Sequence, residues 1–353
     1  MKIIRLATFL DFGGVERRLE TLAHIRDEHD WVFCAINKGG TAAENIKKQG
    51  KRVVCFGLPY KIPSFSTIYK LYRFFKNEKP QVVHTSGAEA NFHGVLAAKL
   101  ARVPVVISEE IGIPSQSKMA KRIFKFVYNL SDVVIGNSKP VMAYLRDENQ
   151  VKAQKLVTVA NPLVFKEIGE RPERMEDIFR IVSVSRLEPV KNIESVLRVM
   201  ADLLSEQYKI HYTIVGEGKH RPVLEALVKE LGIEEYVAFA GYQSNPLPFL
   251  QSADLYVLTS FTEGFSNSLA EAMYSETPSL STRVGAAEAI ISEGENGWLV
   301  PPGDDAVLLL KLKAILQTEC EKRQLIGKKG KQTIAENYSL NKHAAKLMKL
   351  YRN

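Results

Sequence analysis

Two glutamates open the chemistry. The segment TEGFSNSLAEAM, residues 262–273, puts seven residues between Glu263 and Glu271. The intervening FSNS reads as a helix start, with Ser266, Asn267 or Ser268 as N-cap. Glu263 then sits in a loop and Glu271 in the first helical turns. The unpaired backbone N–H groups of such a start attract an anion. The competing structural reading makes Ser268-Leu269-Ala270-Glu271 a capping box, in which Glu271 only closes the helix.

A second segment, SVSRLEPVKN at 183–192, supplies two cations, Arg186 at the end of a buried strand and Lys191 before the helical NIESVLRVM. An arginine fork and a lysine point charge beside one helix start suit a diphosphate, whereas the bland reading is a surface pair flanking a loop. Gly13-Gly14, followed by Glu16, and Gly216 in VGEGKHRP are turns through which backbone N–H groups can approach phosphate. No GxxxxGK[ST] loop occurs.

These residues need elements to position them. Apolar runs alternate with helical patterns: KIIRLA (2–7), WVFCAI (31–36), RVVCFG (52–57), QVVH (81–84), VPVVIS (103–108) and DVVIG (132–136). The series restarts with FRIVSVS (179–185), IHYTIVG (210–216), YVAFAG (236–241), DLYVLTS (254–260) and TPSLST (277–282). Near-continuous apolar strands between helices predict parallel sheets covered on both faces, and two series predict two Rossmann-like α/β domains. The junction falls near Asn161-Pro162, before a polar KEIGERPERMED stretch. Ligands bind beyond the carboxyl ends of such strands. That rule singles out Gly13-Gly14, His84, Glu109-Glu110 and Asn137-Ser138 in the first half. In the second it selects Arg186, Gly216, Tyr242 and Glu263-Gly264.

The chain has 353 residues, long enough for two domains, and is 45% hydrophobic, which excludes a disordered or collagen-like polymer. Cys34, Cys55 and Cys320 lie far apart without zinc-ligand spacing, as expected for a reducing compartment. MKIIRLATFLDFGGVE reads as a first strand rather than a signal peptide, and no apolar run is long enough to span a membrane. The formal charge is +8, but residues 1–160 carry 25 basic and 14 acidic side chains, a net +11, and the remainder a net −3. The first half is therefore expected to meet something anionic. Within it, SKMAKRIFKFVYNL (117–130) sets Lys118, Lys121, Arg122 and Lys125 beside an apolar stripe of Met119, Ile123, Phe126, Val127 and Leu130. That is the pattern of a helix lying on an anionic membrane, and equally of a surface helix packed on the sheet.

Taken together, the segments resemble a known family. GGVE, HTSGAEANFHGVLAAKLARVPVVIS, SRLEPVKN, IVGEGKHRPVLEAL, EGFSNSLAEAM, NGWLVPPGD and NYSLNKHAAKLMKLY, in this order, make the chain similar to retaining glycosyltransferases of family four. The resemblance implies a GT-B fold: two Rossmann-like domains facing across a cleft, with the C-terminal helix crossing back. Residues 1–162 plus about 335–353 would bind the acceptor, and 163–334 the nucleotide-sugar donor. It implies that Arg186 and Lys191 hold the donor diphosphate, that Glu263 contacts the donor sugar and that Glu271 binds the ribose hydroxyls. Gly264, Phe265, Ser266, Asn267, Ser268 and Leu269 would hold sugar and phosphates, with Gly216 nearby. Gly13-Gly14 would lie over the phosphate from the opposite domain, and Tyr242 beside the base. Transfer would run by front-side attack, without a divalent metal or other cofactor and without a protein nucleophile. Many relatives carry a histidine after the fifth strand. Here Glu109 or Glu110 occupies that region, with Glu16 and His84 as further polar groups near acceptor or sugar. Glu276 stands where glycine is common.

The expected activity is transfer of a hexose from a nucleotide sugar to a glycan or lipid-linked acceptor, in bacterial cell-surface polysaccharide, lipopolysaccharide or glycolipid synthesis. A UDP-sugar is favoured over a GDP-sugar. The expected location is cytoplasmic, peripheral on the inner membrane face through residues 117–130. A sugar-nucleotide epimerase of the same fold and a two-lobed sugar-binding protein are the alternatives. No nucleic acid is expected, since aromatic-interleaved basic motifs are missing.

Overall fold

A computed structural model describes residues 1–113, 116–148, 151–164 and 178–352. The polar KEIGERPERMED stretch lies outside the described residues. The chain divides into two compact units, Met1–Val164 with Tyr338–Asn353, and Phe165–Asn337.

In the first unit strands and helices alternate: β1 (Lys2–Ala7), α1 (Gly14–Leu22), β2 (Asp30–Ala35), α2 (Thr41–Lys48), β3 (Arg52–Cys55), α3 (Phe65–Glu78), β4 (Val82–Ser86), α4 (Ala88–Leu100), β5 (Val105–Glu110), α5 (Lys118–Leu130), β6 (Val133–Gly136), α6 (Lys139–Asp147) and β7 (Leu156–Thr158). The second unit repeats the plan with β8 (Phe179–Val184), α7 (Ile193–Ser205), β9 (Ile210–Val215), α8 (Arg221–Glu230), β10 (Val237–Gly241), α9 (Leu247–Ser252), β11 (Leu255–Leu258), α10 (Asn267–Tyr274), β12 (Ser279–Thr282), α11 (Ala287–Ile290), β13 (Trp298–Val300), α12 (Asp305–Leu316) and α13 (Cys320–Asn337). A last helix, α14 (Leu340–Tyr351), belongs to the first unit.

Both sheets are parallel. Their orders are β3-β2-β1-β4-β5-β6-β7 and β10-β9-β8-β11-β12-β13. Each order reverses beside its first strand, between β1 and β4 and between β8 and β11, and the crevice at such a reversal is where doubly wound sheets take ligands. Strands β7 and β13 have three residues each, too short for a sequence period to reveal.

Alternation sorts the first sheet's side chains into two cores. Ile4, Leu6, Val83 and Val106 pack under α3, α4 and α5 with Leu71, Val95 and Val127. Ile3, Ala7, Val82 and Ile107 face the other way, with Leu19 of α1 and with Leu347 and Tyr351 of α14. The second unit has a core of its own around Ile181, Met200, Tyr212 and Leu280.

Candidate functional site

The loops after β8 and β11 carry the predicted cations and carboxylates of the second unit, and because these strands are neighbours the loops meet. Leaving β8, Arg186 is exposed, with Nη1 3.0 Å from Glu188 Oε1. The chain then makes a 3-10 turn, Pro189–Lys191, and Asn192 in the left-handed conformation leads into α7. Lys191 Nζ lies 2.6 Å from Glu263 Oε1, and both side chains are mostly buried. Ser260 Oγ donates to the same oxygen at 2.8 Å. Thr259 Oγ1 donates to the Asn192 carbonyl at 2.8 Å, and Phe261 N–H to the Val190 carbonyl at 2.9 Å. Those bonds clamp one loop on the other, so the ion pair rests on a fixed frame.

Ser266 is the N-cap of α10: its Oγ accepts from Leu269 N–H at 3.3 Å. Asn267 is the first helical residue, and Ser268 spends its hydroxyl 2.8 Å from Tyr256 OH. The capping-box reading of Ser268 and Glu271 is therefore wrong. With Ser266 as cap, the position that closes such a box is Leu269, and half-buried Glu271 falls two residues further along. Phe265 and Leu269 are buried and anchor the helix start.

Glycines let the loops close. Gly285 (φ +59°) packs so tightly that a Cβ there would sit 2.5 Å from the Gly264 carbonyl oxygen and 2.6 Å from that of Glu263. A Cβ at Gly216 would strike the Ser185 carbonyl, and Gly216 N–H instead donates to the Gly241 carbonyl at 2.8 Å. Tyr242 follows Gly241 and is exposed. Glu276 lies one residue past the Ser275 C-cap of α10 at φ +59°, a left-handed conformation that favours glycine, with its carboxylate 2.8 Å from Lys331 Nζ.

In the first unit Gly13 precedes α1, Gly14 begins it, and half-buried Glu16 folds back over Gly13. Burial raises the Glu16 pKa, and nearby Asp11 adds to the rise against a backbone hydrogen bond that lowers it. His84 and Glu109 are enclosed. Glu109 Oε1 is 2.6 Å from Arg18 Nη2; Oε2 is 3.1 Å from Arg5 Nη2, 2.8 Å from the donating Ser86 Oγ and 3.5 Å from His84 Nε2. Tyr351 OH completes the group, 3.2 Å from Arg5 Nη1 and 2.8 Å from His84 Nδ1. Burial opposes ionisation of Glu109, but the cations Arg18 and Arg5 hold its carboxyl well below the usual range. Burial, reinforced by Arg5, pushes His84 down to about 4 and keeps it neutral. Neither side chain has any exposed surface. Their part in the fold is to tie α14 and α1 to the first sheet.

Glu110 points to the opposite face. Its Oε1 accepts from Tyr128 OH at 2.7 Å and from Asn91 Nδ2 at 2.9 Å. Burial raises its pKa to about 7. Sequence reasoning missed Arg5, Arg18, Asn91, Tyr128 and Tyr351. The one available signal was Arg5, a charge at an inward position of an apolar strand, which needs a buried partner.

Among the described residues no three His, Cys, Asp or Glu side chains cluster as a metal site, and no helix is long and apolar enough to cross a membrane. On α5, Met119, Ile123 and Phe126 are exposed, whereas Val127 of the expected stripe is in the core and Leu130 packs against it.

Comparison with known proteins gives these loops a context. Residues 165–333 match the family model "Glycosyl transferases group 1", and residues 12–164 match "Glycosyltransferase Family 4". The chain is 30% identical, over 93% of its length and 92% of the relative's, to GalNAc-alpha-(1->4)-GalNAc-alpha-(1->3)-diNAcBac-PP-undecaprenol alpha-1,4-N-acetyl-D-galactosaminyltransferase of Campylobacter jejuni. It is 22% identical, over 77% of each chain, to the capsular polysaccharide biosynthesis glycosyltransferase CapM of Staphylococcus aureus. Among solved structures, Anabaena Alr3699/HepE in complex with UDP superposes with TM-score 0.85 over 99% of both chains at 19% identity. Sucrose-phosphate synthase of Thermosynechococcus elongatus superposes with TM-score 0.78 over 100% of this chain and 98% of its own. With both sheets, both family models and a full-length relative in agreement, the chain belongs to the family 4 (group 1) glycosyltransferases of GT-B fold.

Proposed function

We propose that the chain is a retaining hexosyltransferase that moves a sugar from a UDP-sugar to a lipid-linked glycan during assembly of bacterial surface polysaccharide or glycolipid. The observation that carries this reading is the Lys191–Glu263 pair, held at the strand-order reversal beside Arg186 and the start of α10. Arg186, Lys191 and the first N–H groups of α10 take the diphosphate, and they stabilise the charge that builds on it as the sugar–oxygen bond breaks. Phosphate displaces Glu263 from Lys191 and frees that carboxylate for the sugar hydroxyls. Glu271 takes the ribose, and Tyr242 lies against the base. The acceptor attacks from the side the diphosphate leaves, without a divalent metal and without a protein nucleophile. UDP is preferred over GDP because HepE is a structural neighbour solved with UDP. The lipid-linked acceptor is supported by the undecaprenol-linked substrate in the name of the Campylobacter relative.

A peripheral site on the cytoplasmic membrane face completes the reading. Its support is the exposed apolar trio Met119, Ile123 and Phe126 on α5, beside exposed Lys118, Arg122 and Lys125. The test is a panel of UDP-N-acetylgalactosamine, UDP-N-acetylglucosamine, UDP-galactose, UDP-glucose and GDP-mannose. Thermal shift reads binding, and transfer is measured to undecaprenyl-diphosphate-linked glycans. A UDP-sugar should stabilise the unaltered chain but not Glu271→Ala. A glycosylated product separates transfer from epimerisation. No stabilisation by any donor overturns the proposal.

A further inference from the structure

We infer that Glu110 reads the acceptor: its Oε2 takes a hydrogen bond from a hydroxyl or amide N–H of the acceptor glycan. The inference rests on the glycosyltransferase reading above and names the acceptor-side residue within it. Glu110 is the last residue of β5, at the carboxyl end of a parallel sheet, where ligands arrive. Both of its hydrogen bonds fall on Oε1, from Tyr128 of α5 and Asn91 of α4. No described residue hydrogen-bonds Oε2.

Glu109 makes the contrast. It occupies the preceding position, but its two oxygens are held by two arginines and a serine. Glu110 is only 5% exposed, and no described cation pairs with it. The groups that face it are Glu89 and Asn91 on α4, Tyr128 on α5, Tyr144 on α6 and Glu109 within its own strand. A buried carboxylate with no cation is costly, and such groups gather where a ligand supplies the missing donor. Asn91 is itself fixed, donating to the Glu109 carbonyl at 3.0 Å and accepting from Thr85 Oγ1 at 2.7 Å. Glu110 is therefore aimed rather than loose.

The experiment uses the full chain with the donor–acceptor pair that transfers best in the panel. Kinetics are taken from pH 5.5 to 8.5 for the unaltered chain, Glu110→Gln and Tyr128→Phe, alongside hydrolysis of the donor without acceptor. Glu110→Gln should raise the acceptor KM about tenfold or more and leave donor KM and donor hydrolysis within about twofold. The unaltered chain should show an acceptor KM that falls as pH rises through about 7. Glu110→Gln should lose that limb. Tyr128→Phe should move it upward, because the phenol favours the ionised form. An unchanged acceptor KM and limb in Glu110→Gln overturns the inference while leaving the activity standing. Equal loss toward donor and acceptor also overturns it, since that is what a merely structural role predicts. Absence of transfer by the unaltered chain with every pair overturns the reading beneath it, and the inference with it.

Discussion

Lys191 and Glu263, 72 positions apart in sequence, form an ion pair of 2.6 Å whose carboxylate also accepts from Ser260. The pair joins the loops that leave two adjacent strands, β8 and β11. It links the cation proposed to bind phosphate to the carboxylate proposed to bind the sugar. Lys191→Ala should lower kcat/KM for the donor by about a hundredfold or more, through loss of charge stabilisation in the transition state. Arg at this position should recover only part, because its fork does not fit where an ammonium sits. Steady-state kinetics with the best UDP-sugar checks both.

Gly285 is tightly confined against the loop that carries Glu263. Ala there would meet two carbonyl oxygens and would also have to adopt φ +59°. Gly285→Ala should destabilise the chain by ~2 kcal/mol or more and displace Glu263. Urea denaturation reads the first effect and donor affinity the second. Wild-type stability together with wild-type affinity would contradict the packing described.

The buried carboxylates of β5 respond to pH in opposite directions. Glu109 is held below its ordinary value, so its stabilisation is full above about pH 4.5 and is lost as pH falls through its folded value. Glu109→Gln leaves Arg5 and Arg18 without their counter-charge and should cost ~3–5 kcal/mol at neutral pH. Glu110 is raised to about 7, so its stabilisation is full below about pH 4.5 and is lost as pH rises through 7. Glu110→Gln should therefore be relatively more stable at pH 8 than at pH 4.5, by up to ~3 kcal/mol against the unaltered chain. Denaturation at the two pH values decides, and a relative stability of Glu110→Gln that is the same at pH 8 as at pH 4.5 would refute the assignment.

Helix α5 offers a membrane test. The unaltered chain should float with anionic liposomes and not with neutral ones, and Lys118→Glu/Arg122→Glu/Lys125→Glu should abolish flotation. Phe126→Ser, at an exposed apolar position, should weaken it without changing thermal stability. Equal recovery with neutral and anionic lipids would end the proposal.

Local rules carried much of this protein. The strand expected at 2–7 is β1 residue for residue, and the polar FSNS run does start a helix, because alternation and capping are short-range. The net +11 of the first half and its basic α5 were likewise open to counting. Tertiary structure decided the rest. Glu109 and Glu110 are adjacent and chemically alike, and a strand must send them to opposite faces. Which face holds two arginines and which holds Tyr128 depends on helices that arrive from elsewhere in the chain. Arg5 meets Tyr351 across 346 positions, a pairing no local pattern encodes. Lys191 meets Glu263 because the strand order sets β8 beside β11, and sheet order is a property of the whole fold.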